Sequence, residues 1–163
     1  MKLLLASHNK KKHREFSAAL APLSIEVLLP AQVGGIEDVV EDAPTFRGNA
    51  AKKALSAARA SSLWALADDS GLEVDALAGA PGVLSARFAG VHGDDAANNR
   101  LLLERLASVP DERRTARFTC ALALARPDGS LALEVQGHAH GRILHAPRGD
   151  GDFGYDPLFL FTE

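Results

Sequence analysis

Apolar positions along the chain come in short runs and in helical stripes, and the two alternate. Leu3, Leu4, Leu5 and Ala6 follow Lys2 as a run of strand length, and from about Asn9 the positions Phe16, Ala19 and Leu20 recur at helical spacing. Residues 25–29 predict a second strand that ends at Pro30. Pro44 and Thr45 then open a long helix with Phe46, Ala50, Ala54 and Ala57 as its buried stripe, rich in the alanines that favour helix and close packing. Trp64, Ala65, Leu66 and Ala67 predict a buried strand that stops at Asp68-Asp69-Ser70-Gly71. Past Arg87, Asp94 or Asp95 can cap a structural helix whose core face is Leu102, Leu103 and Leu106. Residues 115–125 alternate, with Phe118, Cys120, Leu122 and Leu124 on one face, and the turn from Arg126 to Ser130 leads into Leu131, Leu133 and Val135 as an antiparallel hairpin. Strand and helix in alternation, then a hairpin, predict an α/β fold with a central mixed β-sheet flanked by helices.

Composition narrows the class. A chain of 163 residues that is 47% hydrophobic suits one globular domain with a substantial core, with room for a division into two lobes. A net charge of −3 gives no general attraction to nucleic acid or anionic membranes, so neither partner is expected and any anion binding is local. Cys120 is the one cysteine, which forms no internal disulfide and fits a reducing compartment. The N-terminal apolar run is too short for a signal-peptide core and no later run approaches membrane-spanning length, so a soluble cytoplasmic protein is the expectation.

Several polar groups interrupt this frame. Ser7, His8, Asn9, Lys10, Lys11 and Lys12 place a hydroxyl, an amide and three ammonium groups around a predicted helix N-terminus. Cations are unfavourable against the positive end of the helix dipole, so the cluster suggests an external anion; a solvated basic turn is the alternative, and the residues alone leave both open. The loop holds no glycine and is not the Gly-rich phosphate loop of nucleotide hydrolases. Asp68 and Asp69 stand at a predicted strand end, where a turn relaxed by Gly71 would let both reach one cleft and serve a hard cation or a water. Taken alone, Asp-Asp-Ser-Gly reads as turn punctuation. Downstream, Gly79, Pro81 and Gly82 fix a second tight loop ending at Arg87. Glu41 lies just before the long helix, and Lys53 points from its body one turn after Asn49. His138 and His140 share a strand face with His145 nearby, but no cysteine or carboxylate is arranged with them, and zinc is not expected. Residues 148–157 form a Gly-rich segment that reads either as a turn or as a stacking surface presenting Phe153, Tyr155 and an acid.

Four segments in order, ASHNKKKHREF, TFRGNAAKKA, ADDSGLEVDALAGAPGVLSARFAG and GDFGYDPLF, resemble the inosine triphosphate pyrophosphatase family, also called dITP/XTP pyrophosphatases. The resemblance implies Mg²⁺-dependent hydrolysis of a non-standard purine nucleoside triphosphate, such as ITP, dITP or XTP, to the monophosphate and pyrophosphate. It also implies a homodimer of elongated two-lobed subunits with the active site in the cleft between lobes. By position, the Ser7 to Lys12 loop is similar to the family's triphosphate loop, with Asn9 and Lys12 in matching places, and Lys53 resembles its second phosphate lysine. Asp69 falls on the proton acceptor and metal-linked acid, Glu41 on the other metal carboxylate, and Ser70 on a substrate contact, with Asp68 supporting Asp69. Phe153, Gly154, Tyr155 and Asp156 resemble the base-binding segment. Two departures stand out. His8 takes the place of an expected glycine, and the family's pattern continues past FGYDP into a Ser-His-Arg segment that contacts the purine, whereas this sequence stops at Glu163. The expectation is therefore a single pyrophosphatase domain over 1–163 without that segment. A catalytically silent nucleotide-binding module and the Maf-like nucleotide pyrophosphatases, with other base preferences, are the competing readings.

Overall fold

Three leucines in a row at Leu3, Leu4 and Leu5 start a strand with no solvated face, and that strand lies inside the sheet. The computed structural model describes residues 1–149 and 153–162. Among them, strands β1 (Lys2–Leu5), β2 (Glu26–Leu28), β3 (Trp64–Val74), β4 (Thr115–Ala125), β5 (Leu131–Ile143) and β6 (Phe159–Phe161) form one mixed sheet in the order β2-β1-β3-β4-β5-β6. β1 runs parallel to both neighbours, with Leu3 opposite Val27 and Trp64, while β6 pairs antiparallel with the end of β5, Gly141 opposite Phe161. The helices are α1 (Lys10–Leu20), α2 (Phe46–Ser61) and α3 (Asp95–Arg105). This is the α/β architecture with a mixed sheet that the alternation of patterns predicts. No helix among the described residues is long and apolar enough to cross a membrane.

The chain divides into two compact units, Met1–Asp69 with Ala121–Gln136, and Ser70–Cys120 with Gly137–Glu163. In the first, α2 buries Phe46, Ala50, Ala54 and Ala57, the expected stripe, together with Ala58, and Thr45 caps it by accepting the Gly48 N–H. Gly48 has a reason: a Cβ there would meet the Ala43 methyl at 2.8 Å, so only glycine lets the incoming loop lie against the helix's first turn. α1 packs along β2, and His13 Nε2 hydrogen-bonds the Val27 carbonyl at 2.8 Å. Its apolar stripe is thinner than the spacing suggests, since Ala19 is exposed and no residue of α1 is fully buried. On β4 the buried side is Ala121, Ala123 and Ala125; Cys120 is exposed and Leu122 and Leu124 are half-buried.

The clearest departure is β3. The sequence predicts that it stops at Asp68, yet it continues through Asp68-Asp69-Ser70-Gly71 to Val74. Asp favours turns when its oxygens bond nearby backbone. Here those oxygens bond side chains from α1 and α2 instead, which leaves the backbone free to stay extended.

The second unit has its own core of Leu72, Val74, Leu102, Leu106, Ala116, Ile143, Tyr155 and Leu158. Each fully buried leucine of this kind contributes about 1.5–3 kcal/mol. The loop between β3 and α3 is as tight as its glycines predict. Gly79 and Gly82 have φ of 88° and 57°, the Val74 N–H donates to Ala80 O, and Ser85 Oγ accepts from Leu72 N at 2.9 Å. Arg114 is 1% exposed, and its guanidinium donates to the carbonyls of Leu106, Val109, Ile143 and Leu144, tying strand ends and the α3 terminus together.

Candidate functional site

Two parallel strands and two helices of the first unit bring most of the predicted polar residues together. The loop after β1 is organised by its own side chains. Ser7 Oγ accepts the Asn9 N–H at 3.1 Å, and Asn9 Oδ1 caps α1 by accepting the Lys11 and Lys12 N–H groups at 2.9 and 3.2 Å. His8 is exposed and its Nε2 lies 3.3 Å from Asp38 Oδ1. Its backbone is not among the positive-φ residues, so the histidine imposes no strain where a glycine was expected. Lys10 and Lys11 are exposed. Lys12 instead turns inward, and its Nζ donates to Asp68 Oδ2 at 2.5 Å. Asp68 is 4% exposed, so this bond supplies a cation to a carboxylate that water hardly reaches. Asp68 is thus bonded to a lysine of the loop after β1.

Asp69, next along β3, is held from α2. Asn49 Nδ2 donates to Asp69 Oδ2 at 3.1 Å, and Lys53 Nζ lies 3.6 Å from Asp69 Oδ1 and donates to Glu41 Oε1 at 2.7 Å. One turn of helix separates Asn49 from Lys53, which puts both on the same face. Burial pushes the Asp69 carboxyl above the usual carboxylate range; Lys53 and the Asn49 amide pull it back, and the Glu41 charge pushes it up again. Lys52 faces the other way, donating to Val40 O at 3.0 Å and to the Asp42 carboxylate, whose pKa it lowers. That anchors the loop carrying Glu41.

Two of these residues, Asn49 and Lys52, lie inside the TFRGNAAKKA segment but are given no role of their own by the sequence. Asn49 is fully buried on an otherwise alanine face and bonds both ways, accepting the Ala43 N–H at 2.9 Å through Oδ1. A buried polar residue in an apolar stripe must be satisfied by something, and that rule was the available hint. Lys52 reads as a solvated surface charge.

The donor set suits a hard divalent cation. Glu41 and Asp69 converge on a single positive group, Lys53 Nζ, with oxygen donors only. Among the described residues no three His, Cys, Asp or Glu side chains form a metal cage, so substrate oxygens and water would complete the shell, as is usual for Mg²⁺.

In the second unit, Ser70 is exposed on β3. Phe153 is 50% exposed and Asp156 is exposed. Tyr155 departs from the expected stacking pair. It is 5% exposed, belongs to the core and donates its hydroxyl to Ser85 O at 2.7 Å, and burial raises its pKa. Gly154 is clamped by α3, whose Asp95 carboxylate accepts the Gly154 N–H and whose Asn99 Nδ2 donates to Gly154 O, both at 2.9 Å. A helix expected to be purely structural therefore positions this segment. Residues 150–152 of the Gly-rich stretch lie outside the described residues. Of the histidines, His138 Nδ1 bonds Thr119 Oγ1 at 2.9 Å, Thr119 bonds Glu73, and His145 pairs with Asp111.

The chain as a whole is similar to known proteins. A protein of Desulforamulus reducens named dITP/XTP pyrophosphatase is 52% identical over 163 residues, covering 100% of this chain and 81% of that protein. One of the same name from Syntrophobacter fumaroxidans is 54% identical over 160 residues, covering 98% and 68%. Among solved structures, a nucleoside-triphosphatase / dITP/XTP pyrophosphatase from Mycobacterium abscessus superposes with a TM-score of 0.86 at 46% identity, covering 99% of this chain and 82% of that one. A Coxiella burnetii HAM1 protein does so with a TM-score of 0.90 at 39% identity, covering 98% and 81%. The Ham1 family model matches residues 3–163, so the loop after β1, the α2 face and the β3 acids all fall inside the match, and the chain belongs to the Ham1 family.

Proposed function

We propose that this protein is a nucleoside triphosphate pyrophosphohydrolase that hydrolyses ITP, dITP or XTP to the nucleoside monophosphate and pyrophosphate. The observation that carries the reading is the meeting of Glu41 and Asp69 at Lys53, with the Asp69 carboxyl raised by burial and oriented by Asn49. The names of the relatives support it.

The chemistry divides among the residues. Asp69 is the general base, taking a proton from the water that attacks the α-phosphorus as the bond to the β-phosphate breaks. A carboxylate held above its ordinary pKa by burial is a better proton acceptor than an exposed one. Lys12 and Lys53 bind the phosphate oxygens and offset the negative charge on the leaving pyrophosphate. Glu41 and Asp69 would hold Mg²⁺, which supplies charge neutralisation and acidifies the bound water. Phe153 gives the base a π-face, with Gly154 and Asp156 beside it in the chain, while Tyr155 serves from the core by fixing the segment. We assign the protein to the cytoplasm, in keeping with its lone cysteine, and take the homodimer as its working state.

A catalytically silent nucleotide binder has no use for a raised carboxylate beside a polyanion, so the enzyme reading is preferred. Purified protein with Mg²⁺ and ITP, XTP, dITP, ATP or GTP, assayed separately for pyrophosphate and orthophosphate, tests reaction and substrate together. Pyrophosphate from ITP and XTP is the expected result. No product from any of them would overturn the enzyme reading, and preference for other bases would favour the Maf-like one.

A further inference from the structure

The ammonium group between Glu41 and Asp69 supports an inference that rests on the metal-dependent reading above. Lys53 Nζ occupies the point on which both carboxylates converge, 2.7 Å from Glu41 Oε1 and 3.6 Å from Asp69 Oδ1. The Lys53 side chain is 17% exposed, so the charges are only partly screened. A divalent cation drawing on the same oxygens would face the ammonium at close range, and the two cannot be accommodated together without strong repulsion.

The surroundings do not need Lys53 to stay. Lys52 anchors the Glu41 loop through Val40 O and the Asp42 carboxylate. Asn49 holds Asp69 by Nδ2 and the Ala43 N–H by Oδ1. The Glu41 loop and the Asp69 carboxylate therefore keep other anchors if the ammonium leaves, and Lys53 has four methylenes with which to swing.

We propose that Lys53 is an exchangeable counter-ion: in the metal-free protein it neutralises Glu41 and Asp69, and on arrival of metal and triphosphate it transfers to the phosphate oxygens, coupling the two binding events. Metal alone must displace an ion pair and binds weakly. Metal arriving with a triphosphate gives the ammonium a new anionic partner, and each ligand strengthens the other by the same factor.

Mn²⁺ is the probe, with free ion counted by its EPR signal in the presence and absence of a non-hydrolysable α,β-methylene analogue of ITP. Lys53→Met is expected to bind Mn²⁺ at least about fivefold more tightly than the wild type without nucleotide, because the competing unit charge is gone. Lys53→Arg, which keeps that charge, is expected to bind no more tightly than the wild type. The analogue should strengthen Mn²⁺ binding less in Lys53→Met than in the wild type. Circular dichroism and thermal melting establish that each variant is folded, and since Lys53→Met must gain affinity, a misfolded variant cannot imitate the result. Wild-type protein that binds Mn²⁺ while Lys53→Met binds it equally or less tightly overturns the exchange alone. Wild-type protein that binds no Mn²⁺ even with the analogue overturns the metal-dependent reading and the exchange with it.

Discussion

Asn49 and Asp69 are joined by a 3.1 Å hydrogen bond from Nδ2 to Oδ2, made from a helix position with no solvent exposure. The other end of the same amide accepts the Ala43 N–H. Asn49→Asp keeps an acceptor for Ala43 but replaces the donor to Asp69 with a third carboxylate. Turnover is expected to fall about 10–100-fold, the usual range for a lost orienting partner, with a smaller change in KM. Steady-state kinetics on ITP at saturating Mg²⁺ provide the check, and an unchanged kcat would remove Asn49 from the positioning role.

Asp69→Asn is expected to abolish most turnover while leaving nucleotide binding measurable, because an amide is a poor base and a poor Mg²⁺ ligand. Its effect on stability has the opposite sign. Asp69 has a raised pKa in the folded protein, so between the unfolded and folded values the native state binds more protons, and stability declines as pH rises through that window. In EDTA at neutral pH, Asp69→Asn should therefore melt at or above the wild-type temperature, with the difference shrinking as pH is lowered toward about 4. A variant that melts lower at neutral pH would mean that Lys53 and Asn49 outweigh the burial of this acid.

Burial sorts the lysines. Lys12 and Lys53 are drawn inward onto acids, whereas Lys10 and Lys11 are exposed. Lys12→Ala and Lys53→Ala should each weaken triphosphate binding more than monophosphate binding, since their proposed partners are the outer phosphates. Calorimetric titration of these two variants and of Lys10→Ala and Lys11→Ala is the measurement. Equal losses at all four positions would show a diffuse basic field instead of two placed cations.

The α3 clamp on Gly154 predicts a selectivity effect. Removing the Asn99 amide with Asn99→Ala frees the Gly154 carbonyl and loosens the backbone that carries Phe153 and Asp156. The ratio of kcat/KM for ITP over ATP is expected to fall, because hydrogen-bond readout of a base depends on fixed partners. Mn²⁺ binding should be untouched. A retained ratio would leave the clamp with a structural role only.

Periodicity and composition by themselves determined the fold class, because a run of three leucines, an alanine-striped helix and two alternating segments about a turn each specify an element type, although which face of β4 is buried was decided by packing. They also marked which residues to watch, since lysines at a helix start and acids after a buried strand are unusual enough to stand out. Where β3 ends was a matter for tertiary structure: Asp68 and Asp69 have the local preference of a turn, and bonds to Lys12 and Asn49, 56 and 20 residues away in sequence, occupy their carboxylates while the stretch stays extended. The same holds for Tyr155, which no local pattern distinguishes from Phe153, yet core packing and the Ser85 carbonyl take it inside and leave Phe153 exposed. Asn49, Lys52 and the α3 clamp were illegible for one reason. A side chain whose task is to hold another residue shows its purpose only through the partner, and partners distant in sequence meet only once the chain has folded.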